Sequence, residues 1–294
     1  MAQRYDVGEV ITAMVTPFKK DTTIDYEALE KLVEHLVNNG SDAILVAATT
    51  GESPTLTHEE ELELLKFVKK VANNRAKIVI SAGSNCTVTA VEQTKRIEKA
   101  GGADAILSVV PYYNKPSQAG LINHFSQIAQ NTSLPIMLYN IPGRTGINML
   151  PETIATIAEK NKNVFGVKQS NADLDQVSEI VIKSPSDFNV YSGDDSLTLP
   201  MMALGAKGVV SVASHIVGKE IKQMIRLYKL GKAHEATAVH LKLYPTFKQI
   251  FMAPNPVPIK AALDKLNIIN DTVRSPLVTL TDEQKAELFA VLNI

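Results

Sequence analysis

Short apolar runs alternate with longer amphipathic stretches along most of the chain, and this alternation constrains the fold more than any other feature. The runs begin at residues 10, 43, 77, 105, 135, 164, 188 and 208. Each is rich in β-branched residues and lacks strict polar alternation, which is typical of strands buried on both faces. Eight such strands, each followed by a helix, predict an α/β fold of the (β/α)8 TIM-barrel type. The main alternative is a doubly wound open sheet, which usually has fewer strands and a nucleotide fingerprint.

The stretches between the runs carry helix signals. Apolar residues recur at helical spacing from Leu29 to Val37, and Thr57 with Glu60 predicts a capping box before the next helix. After residue 230 the alternation stops and three further helical stretches follow, at 233–251, 257–267 and 282–292. We therefore expect a catalytic barrel over residues 1–230 and a C-terminal helical region over residues 231–294.

Composition argues against several classes of partner. The net charge of -1 offers no basic excess for phosphates, so we expect no nucleic-acid partner. Residues 1–10 do not resemble a signal peptide, and no apolar run reaches the ~20 residues of a membrane helix. Cys86 is the only cysteine, which is compatible with a reducing compartment. We expect a cytoplasmic protein with no membrane partner.

No cofactor or metal is predicted. The chain contains no G-x-G-x-x-G, Walker or H-E-x-x-H motif, and its six histidines are scattered. Asp194 and Asp195 follow the seventh strand, where a loop-shaping or capping role is favoured over metal binding. The same two carboxylates disfavour a phosphorylated substrate at a position where many barrels bind phosphate.

Lys168 and Tyr139 are the leading catalytic candidates. Active sites of this fold lie at the carboxyl ends of the strands, and each of these residues is the fifth of its apolar run, on neighbouring strands. Strands lie about 4.8 Å apart, so the amine and the phenol are expected to converge. A lysine excluded from water becomes a nucleophile toward carbonyls, and a neighbouring tyrosine can move the proton that imine formation requires. The alternatives are a solvated strand-end lysine and an ordinary buried tyrosine.

Three further polar residues lie at predicted strand ends. Thr49 and Thr50 point to opposite faces if the chain is still extended there, so that one relays a proton and the other binds a small carboxylate. Strand propensity alone is the alternative explanation for both threonines. Arg144 suits bidentate binding of a substrate carboxylate, although a solvated loop arginine accounts equally well for the sequence.

These residues resemble the dihydrodipicolinate synthase family of pyruvate-dependent class I aldolases. Eight short motifs carry the resemblance, in order and at appropriate spacing: Val15–Phe18, Thr49–Ser53, Pro111–Asn114, Tyr139–Gly146, Gly166–Lys168, Ser192–Asp195, Gly208–Val212 and Pro254–Pro258.

The resemblance implies a reaction and its residues. Lys168 forms a Schiff base with pyruvate, and the enamine attacks L-aspartate 4-semialdehyde to give 4-hydroxy-tetrahydrodipicolinate, on the route to diaminopimelate and lysine. It also implies a proton relay, contacts to the substrate carboxylates, and a homotetramer in which one tyrosine of the relay comes from the neighbouring subunit. The relay is Tyr139, Thr49 and Tyr113, the last from the neighbouring subunit; the pyruvate carboxylate contacts are Thr50 and the backbone of Val210; Arg144 holds the second substrate.

Two other functions stay open at this point. A sister aldolase that acts on a sugar acid such as N-acetylneuraminate shares much of the frame, but it generally lacks an arginine at the position of Arg144. A non-catalytic pyruvate-binding relative is disfavoured because Lys168, Tyr139 and Thr49 are all present. Ala48 departs from the family, which usually has glycine there, and Gln169 replaces a frequent glutamate; alanine would be strained if that backbone needs a positive φ.

The resemblance also implies an allosteric lysine site at a subunit interface. Inhibited relatives commonly have glutamate at the position of Thr89, where it pairs with the effector's ammonium group. We therefore expect weak feedback or none. Carried over by position, the site comprises Ser53, Pro54, His58, Gly83, Asn85, Thr89 and Tyr112.

Overall fold

The computed structural model describes residues 5–294, in which eight parallel strands close into a barrel in chain order. This confirms the predicted fold. The strands are β1 (Val10–Ala13), β2 (Ala43–Val46), β3 (Lys77–Ser81), β4 (Ala105–Val109), β5 (Ile136–Asn140), β6 (Val164–Gln169), β7 (Asn189–Ser192) and β8 (Gly208–Ser211).

Helices follow the strands. Asp25 and Ser117 cap the first and fourth helices, and Thr57 with Glu60 forms the predicted capping box. The helices are α1 (Tyr26–Asn38), α2 (His58–Ala72), α3 (Thr87–Ala100), α4 (Gln118–Gln130), α5 (Pro142–Thr145), α6 (Pro151–Lys160), α7 (Leu174–Lys183), α8 (Thr198–Ala203), α9 (Ser214–Lys229), α10 (Ala233–Gln249), α11 (Val257–Lys265) and α12 (Asp282–Leu292).

The strands are as buried as their composition predicts. Every residue of β1, β2, β5, β6 and β8 is buried. This is the pattern of parallel strands that are covered on both faces. No helix among residues 5–294 is both long and apolar enough to cross a membrane.

The chain divides into two compact units. Of the described residues, the first comprises residues 5–9 together with Ile78–Val210, and the second comprises Val10–Lys77 and Ser211–Ile294. In the first unit, an apolar cluster that includes Phe125, Leu138 and Val167 forms the core. In the second unit, α10 packs against α9 and α12, so the C-terminal helices share a unit with β1 and β2.

Candidate active site

Lys168 and Tyr139 are neighbours in the first unit. The register of β5 and β6 places Tyr139 directly opposite Lys168. Both side chains are buried, at 6% exposure each, and the Lys168 Nζ lies 4.1 Å from the centre of the Tyr139 ring. A primary amine held in a buried position beside a phenol is the arrangement that imine formation requires.

A second tyrosine flanks Lys168 on the other side but differs in its bonding. Tyr191 on β7 is the register partner of Lys168 on that strand. Its hydroxyl donates to the carbonyl of Gly8 at 2.9 Å. Tyr139 is therefore the tyrosine whose ring lies against the Lys168 amine.

The loop after β7 leaves room around the amine because it contains a glycine. A Cβ on Gly193 would overlap the Ser170 hydroxyl and would lie 3.0 Å from Lys168 Cε. The neighbouring Asp194 accepts from the backbone N–H of Ser196 at 2.9 Å. Its carboxylate thus caps the turn, which is the loop-shaping role that the sequence favours.

Gln169 lies beside the nucleophile in sequence but belongs to a buried amide network. Its Oε1 accepts from Asn140 Nδ2 at 3.1 Å, and the same Nδ2 donates to Asn148 Oδ1 at 2.8 Å. Gln176 extends the network to the carbonyl of Met149. Side chains alternate along a strand, so Gln169 and Lys168 point to opposite faces of β6. Gln169 therefore stabilises β6 on the face opposite Lys168.

The Thr49 and Thr50 segment is a tight loop, and the expectation of extended chain there is wrong. The strand ends at Val46, and Ala47 has a φ of 52°, in the left-handed region. Ala48 does not have a positive φ, so the backbone strain expected at Ala48 lies at Ala47 instead. Thr50 is buried and Thr49 half-buried. We call residues 47–53 the threonine loop.

Long-range contacts within the second unit hold the threonine loop. Asn255 Nδ2 donates to the Thr50 hydroxyl at 3.0 Å. Lys260 on α11 forms a fully buried ion pair with Glu52 at 2.5 Å, and the backbone N–H of Arg274 donates to the other Glu52 oxygen at 2.9 Å. Sequence reasoning missed these three residues. One signal was present: Lys260 lies within the apolar run of α11, and a lysine surrounded by apolar residues needs a buried partner.

Two candidate residues lie on exposed segments. Arg144 is exposed on the short helix α5, directly after β5. Tyr113 is 88% exposed and has a φ of 73°. A left-handed conformation costs an aromatic residue about 1–2 kcal/mol, and such strain clusters at functional sites. With this exposure, the Tyr113 side chain is not part of the buried surroundings that Lys168 and Tyr139 share.

Val210 lies on β8 and is buried. It is the third of the four residues of β8, near the carboxyl end of the strand, which is the end where active sites of this fold lie. No group of three or more His, Cys, Asp or Glu side chains among residues 5–294 is arranged to hold a metal.

The residues implied for lysine binding fall in both units. In the second, Ser53 and His58 contact Glu61 at 3.1 Å each, and Pro54 lies in the adjoining helical turn. Glu61, on α2, is thereby already engaged with two nearby residues of its own unit.

In the first unit, the carbonyl of Asn85 accepts from Asn114 at 2.8 Å, and Gly83 donates to Gln93. Thr89 and Tyr112 are exposed. An effector at these positions would meet a neutral hydroxyl at Thr89.

Comparisons with known proteins identify the family. A model of the dihydrodipicolinate synthetase family matches residues 6–294. A Halalkalibacterium halodurans protein, 4-hydroxy-tetrahydrodipicolinate synthase 1, is 48% identical over 98% of this chain and 97% of its own length. The lysine-bound synthase structure from Cyanidioschyzon merolae is 46% identical and superposes with a TM-score of 0.94, covering 98% of this chain and 97% of that one. A solved synthase described as the first monomeric variant is 40% identical, with a TM-score of 0.94 over 97% and 96% of the two chains. The chain therefore belongs to the dihydrodipicolinate synthetase family.

Proposed function

We propose that this chain condenses pyruvate with L-aspartate 4-semialdehyde to form 4-hydroxy-tetrahydrodipicolinate, through a Schiff base on Lys168. The observation that carries the proposal is the buried Lys168 amine lying 4.1 Å from the Tyr139 ring, in a chain matched by the family model over residues 6–294. The reaction is a class I aldol condensation on the route to diaminopimelate and lysine. It needs no cofactor, because the lysine supplies the electron sink.

The chemistry begins at the Lys168 amine. Its lone pair attacks the keto carbon of pyruvate, and the carbinolamine loses water to give a protonated imine. Loss of a methyl proton then gives an enamine, whose terminal carbon attacks the aldehyde of the second substrate. The amino group of the adduct displaces Lys168 from the imine carbon as the ring closes, which releases the product and regenerates the free enzyme.

Each step requires a proton to move, and we assign this to the residues implied by the family. Tyr139, whose ring centre lies 4.1 Å from the amine, gives and takes the proton there. Thr49 continues the relay, and Tyr113 completes it from a neighbouring subunit. The exposure of the Tyr113 side chain, 88%, supports its use across an interface rather than within its own chain.

Carboxylate recognition is assigned to three positions. Thr50 and the backbone of Val210 bind the carboxylate of pyruvate, and Arg144 binds that of the semialdehyde. Arginine suits this task because its planar guanidinium pairs with a carboxylate through two parallel hydrogen bonds. Its presence also favours the semialdehyde over the neutral aldehyde released from N-acetylneuraminate, and no observation favours that alternative or a non-catalytic role.

We also propose a cytoplasmic homotetramer as the working form. Support comes from the exposed Tyr112 and Tyr113 side chains, which lie on the segment that pairs across subunits in the family. One relative is described as a monomeric variant. Sedimentation at assay concentration will therefore distinguish an active tetramer from an active monomer. A fully active monomer would contradict the role given to Tyr113.

Feedback by lysine is proposed to be weak. The Cyanidioschyzon merolae relative binds lysine, but this chain has Thr89 where a glutamate would pair with the effector's ammonium group. Glu61 is the nearby carboxylate that could pair with an amine of the effector in place of that glutamate, but it already contacts Ser53 and His58.

The test of function is an assay with matched aldehydes. Purified protein with pyruvate should consume L-aspartate semialdehyde and form the cyclic product, and should not consume N-acetylmannosamine at a comparable rate. Lys168→Met is the control and should abolish formation of the cyclic product. Preferential use of the amino sugar would overturn the substrate assignment.

A further inference from the structure

A polar cluster with a fully buried lysine fixes the threonine loop from the C-terminal region, and catalysis as described so far does not use it. The cluster comprises Asn255, Lys260 and Arg274, which we call the clamp. Lys260 and its partner Glu52 are 0% and 2% exposed at the side chain, respectively. Burial lowers the pKa of Lys260 to about 8, against the opposing attraction of Glu52. Such a pair is expensive to desolvate and is therefore weak evidence for a purely stabilising role.

Glu52 adopts a conformation that it would not choose by itself. Its φ is 58°, in the left-handed region, and it immediately follows Thr49, Thr50 and Gly51. Both Glu52 oxygens are held by the clamp, one by Lys260 Nζ and one by the backbone N–H of Arg274. The polar contacts thus select one backbone conformation for the threonine loop.

Arg274 holds the far side of the same segment. Its guanidinium donates to the carbonyl of Thr55 at 2.7 Å and forms a bidentate pair with Glu60 at 2.8 and 2.6 Å. The guanidinium lies 4.5 Å from the ring of Phe18, and the Lys260 amine lies 4.3 Å from it. The Lys260 and Arg274 cations therefore pack against the same aromatic ring.

The contact from Asn255 reaches Thr50 directly. Its Nδ2 donates to the Thr50 Oγ1, which leaves the Thr50 hydroxyl proton to be donated elsewhere. A hydroxyl that accepts one hydrogen bond still has its O–H to donate, as an incoming carboxylate requires.

We propose that Lys260 and Arg274 are positioning residues for pyruvate recognition, which act by fixing the segment that carries the Thr50 hydroxyl and backbone. Lys260 holds the Glu52 carboxylate. Arg274 holds the same carboxylate through its backbone N–H and the carbonyl of Thr55 through its guanidinium. The inference rests on the proposed function, in which Thr50 binds the pyruvate carboxylate. Loss of the clamp releases the loop, which carries Thr49 as well as Thr50, without altering Lys168 or Tyr139. It therefore weakens pyruvate capture and leaves the nucleophile and its neighbouring tyrosine in place.

The test measures the pyruvate concentration that gives half-maximal borohydride trapping on Lys168 in the full-length protein. The double variant Lys260→Met/Glu52→Gln removes both charges together and avoids leaving one buried charge unpaired. Arg274→Gln loosens the more accessible side of the clamp. Lys285→Met is the matched control, since Lys285 pairs with Asp271 in the same C-terminal region without touching the threonine loop.

We expect half-saturation by pyruvate to rise about 10-fold or more in the double variant, because small misplacements of binding groups have effects of this size. Arg274→Gln should shift it in the same direction by less, and Lys285→Met should not shift it. Maximal trapping and the KM for the semialdehyde at saturating pyruvate should change less than about 2-fold, which a general loss of folding would not produce.

Three results would overturn the inference. One is unchanged half-saturation in both clamp variants. Another is an equal rise in the KM values of both substrates. The third is failure of both clamp variants to fold while Lys285→Met folds, since that assigns the clamp a structural role only. Absence of trapping in the unaltered protein would instead refute the proposed function itself.

Discussion

The amine and the threonine loop are held in place by different means. Lys168 and Tyr139 lie on adjacent strands, 29 residues apart, and the strand ladder alone sets their spacing. The threonine loop begins where β2 has already ended, and its anchors lie 205 to 222 residues away in sequence. The nucleophile therefore depends on backbone register, whereas the loop depends on side chains contributed by the C-terminal helical region.

This difference predicts how each part fails. A ladder of backbone hydrogen bonds tolerates most side-chain changes, so only a change to the reacting groups should abolish activity at Lys168. A loop held by side chains should respond to distant substitutions and to pH. The following predictions test that contrast.

The largest effect is expected at Tyr139. Tyr139→Phe should lower kcat by about 10²- to 10⁴-fold, the range for loss of a positioned proton-transfer group. Tyr191→Phe is the matched control, because Tyr191 flanks Lys168 on the other strand but bonds to Gly8. Steady-state kinetics on both variants measure the contrast. Equal losses would mean that the register, rather than the Tyr139 hydroxyl, is responsible.

Protonation of His215 at low pH should destabilise the unit that carries the threonine loop. This fully buried residue accepts from the N–H of Val15, and the adjacent Thr16 donates to the carbonyl of Gly51 at 2.6 Å. Burial lowers the pKa of His215 from 6.5 to about 4.

The unfolded chain therefore binds an extra proton between these pH values. The stabilisation by neutral His215 is complete above pH 6.5 and is lost as pH falls toward 4, at a cost of about 3 kcal/mol. The free energy of unfolding should be measured in urea at pH 7 and pH 4. Its change between these pH values should be smaller by about 3 kcal/mol in His215→Gln than in the unaltered protein. His234→Gln, at an exposed position on α10, should show the unaltered change. An identical pH dependence in both variants would contradict the account.

Substitution of Arg144 should separate the two half-reactions. Arg144→Ala should raise the KM for the semialdehyde by about 10-fold or more, since a charge-assisted contact contributes about 1.5–3 kcal/mol. Trapping of pyruvate should change little. Arg96→Ala, at an exposed position on α3, is the control. Equal loss in both half-reactions would remove Arg144 from the second-substrate site.

The smallest effect concerns lysine. The unaltered protein should require more than millimolar L-lysine for half-inhibition, because Thr89 lacks the charge that assists binding. Thr89→Glu should lower that concentration by about 5- to 30-fold, the equivalent of roughly 1–2 kcal/mol. Val88→Glu, the preceding exposed residue, is the control. Half-inhibition of the unaltered protein below about a millimolar would show that Thr89 does not limit binding.

The sequence predicted what depends on local pattern. The strand order, the capping residues and the pairing of Tyr139 with Lys168 follow from periodicity and register, which are properties of short segments. The bend at Ala47 could not be read from its neighbours, because the apolar run continues past the end of β2. The clamp was missed for a related reason: the contact of Lys260 with Glu52 is a tertiary contact, and no periodicity connects two residues so far apart.

The claim that Lys168 is the nucleophile is tested most directly by reductive trapping. The protein should be incubated with pyruvate and borohydride, digested and analysed by mass spectrometry, with Lys168→Met and a pyruvate-free sample in parallel. We predict one reduced pyruvyl group per chain, on the peptide that contains Lys168, and none in either control. A label on Lys260 or any other lysine, or no label at all, would contradict the account.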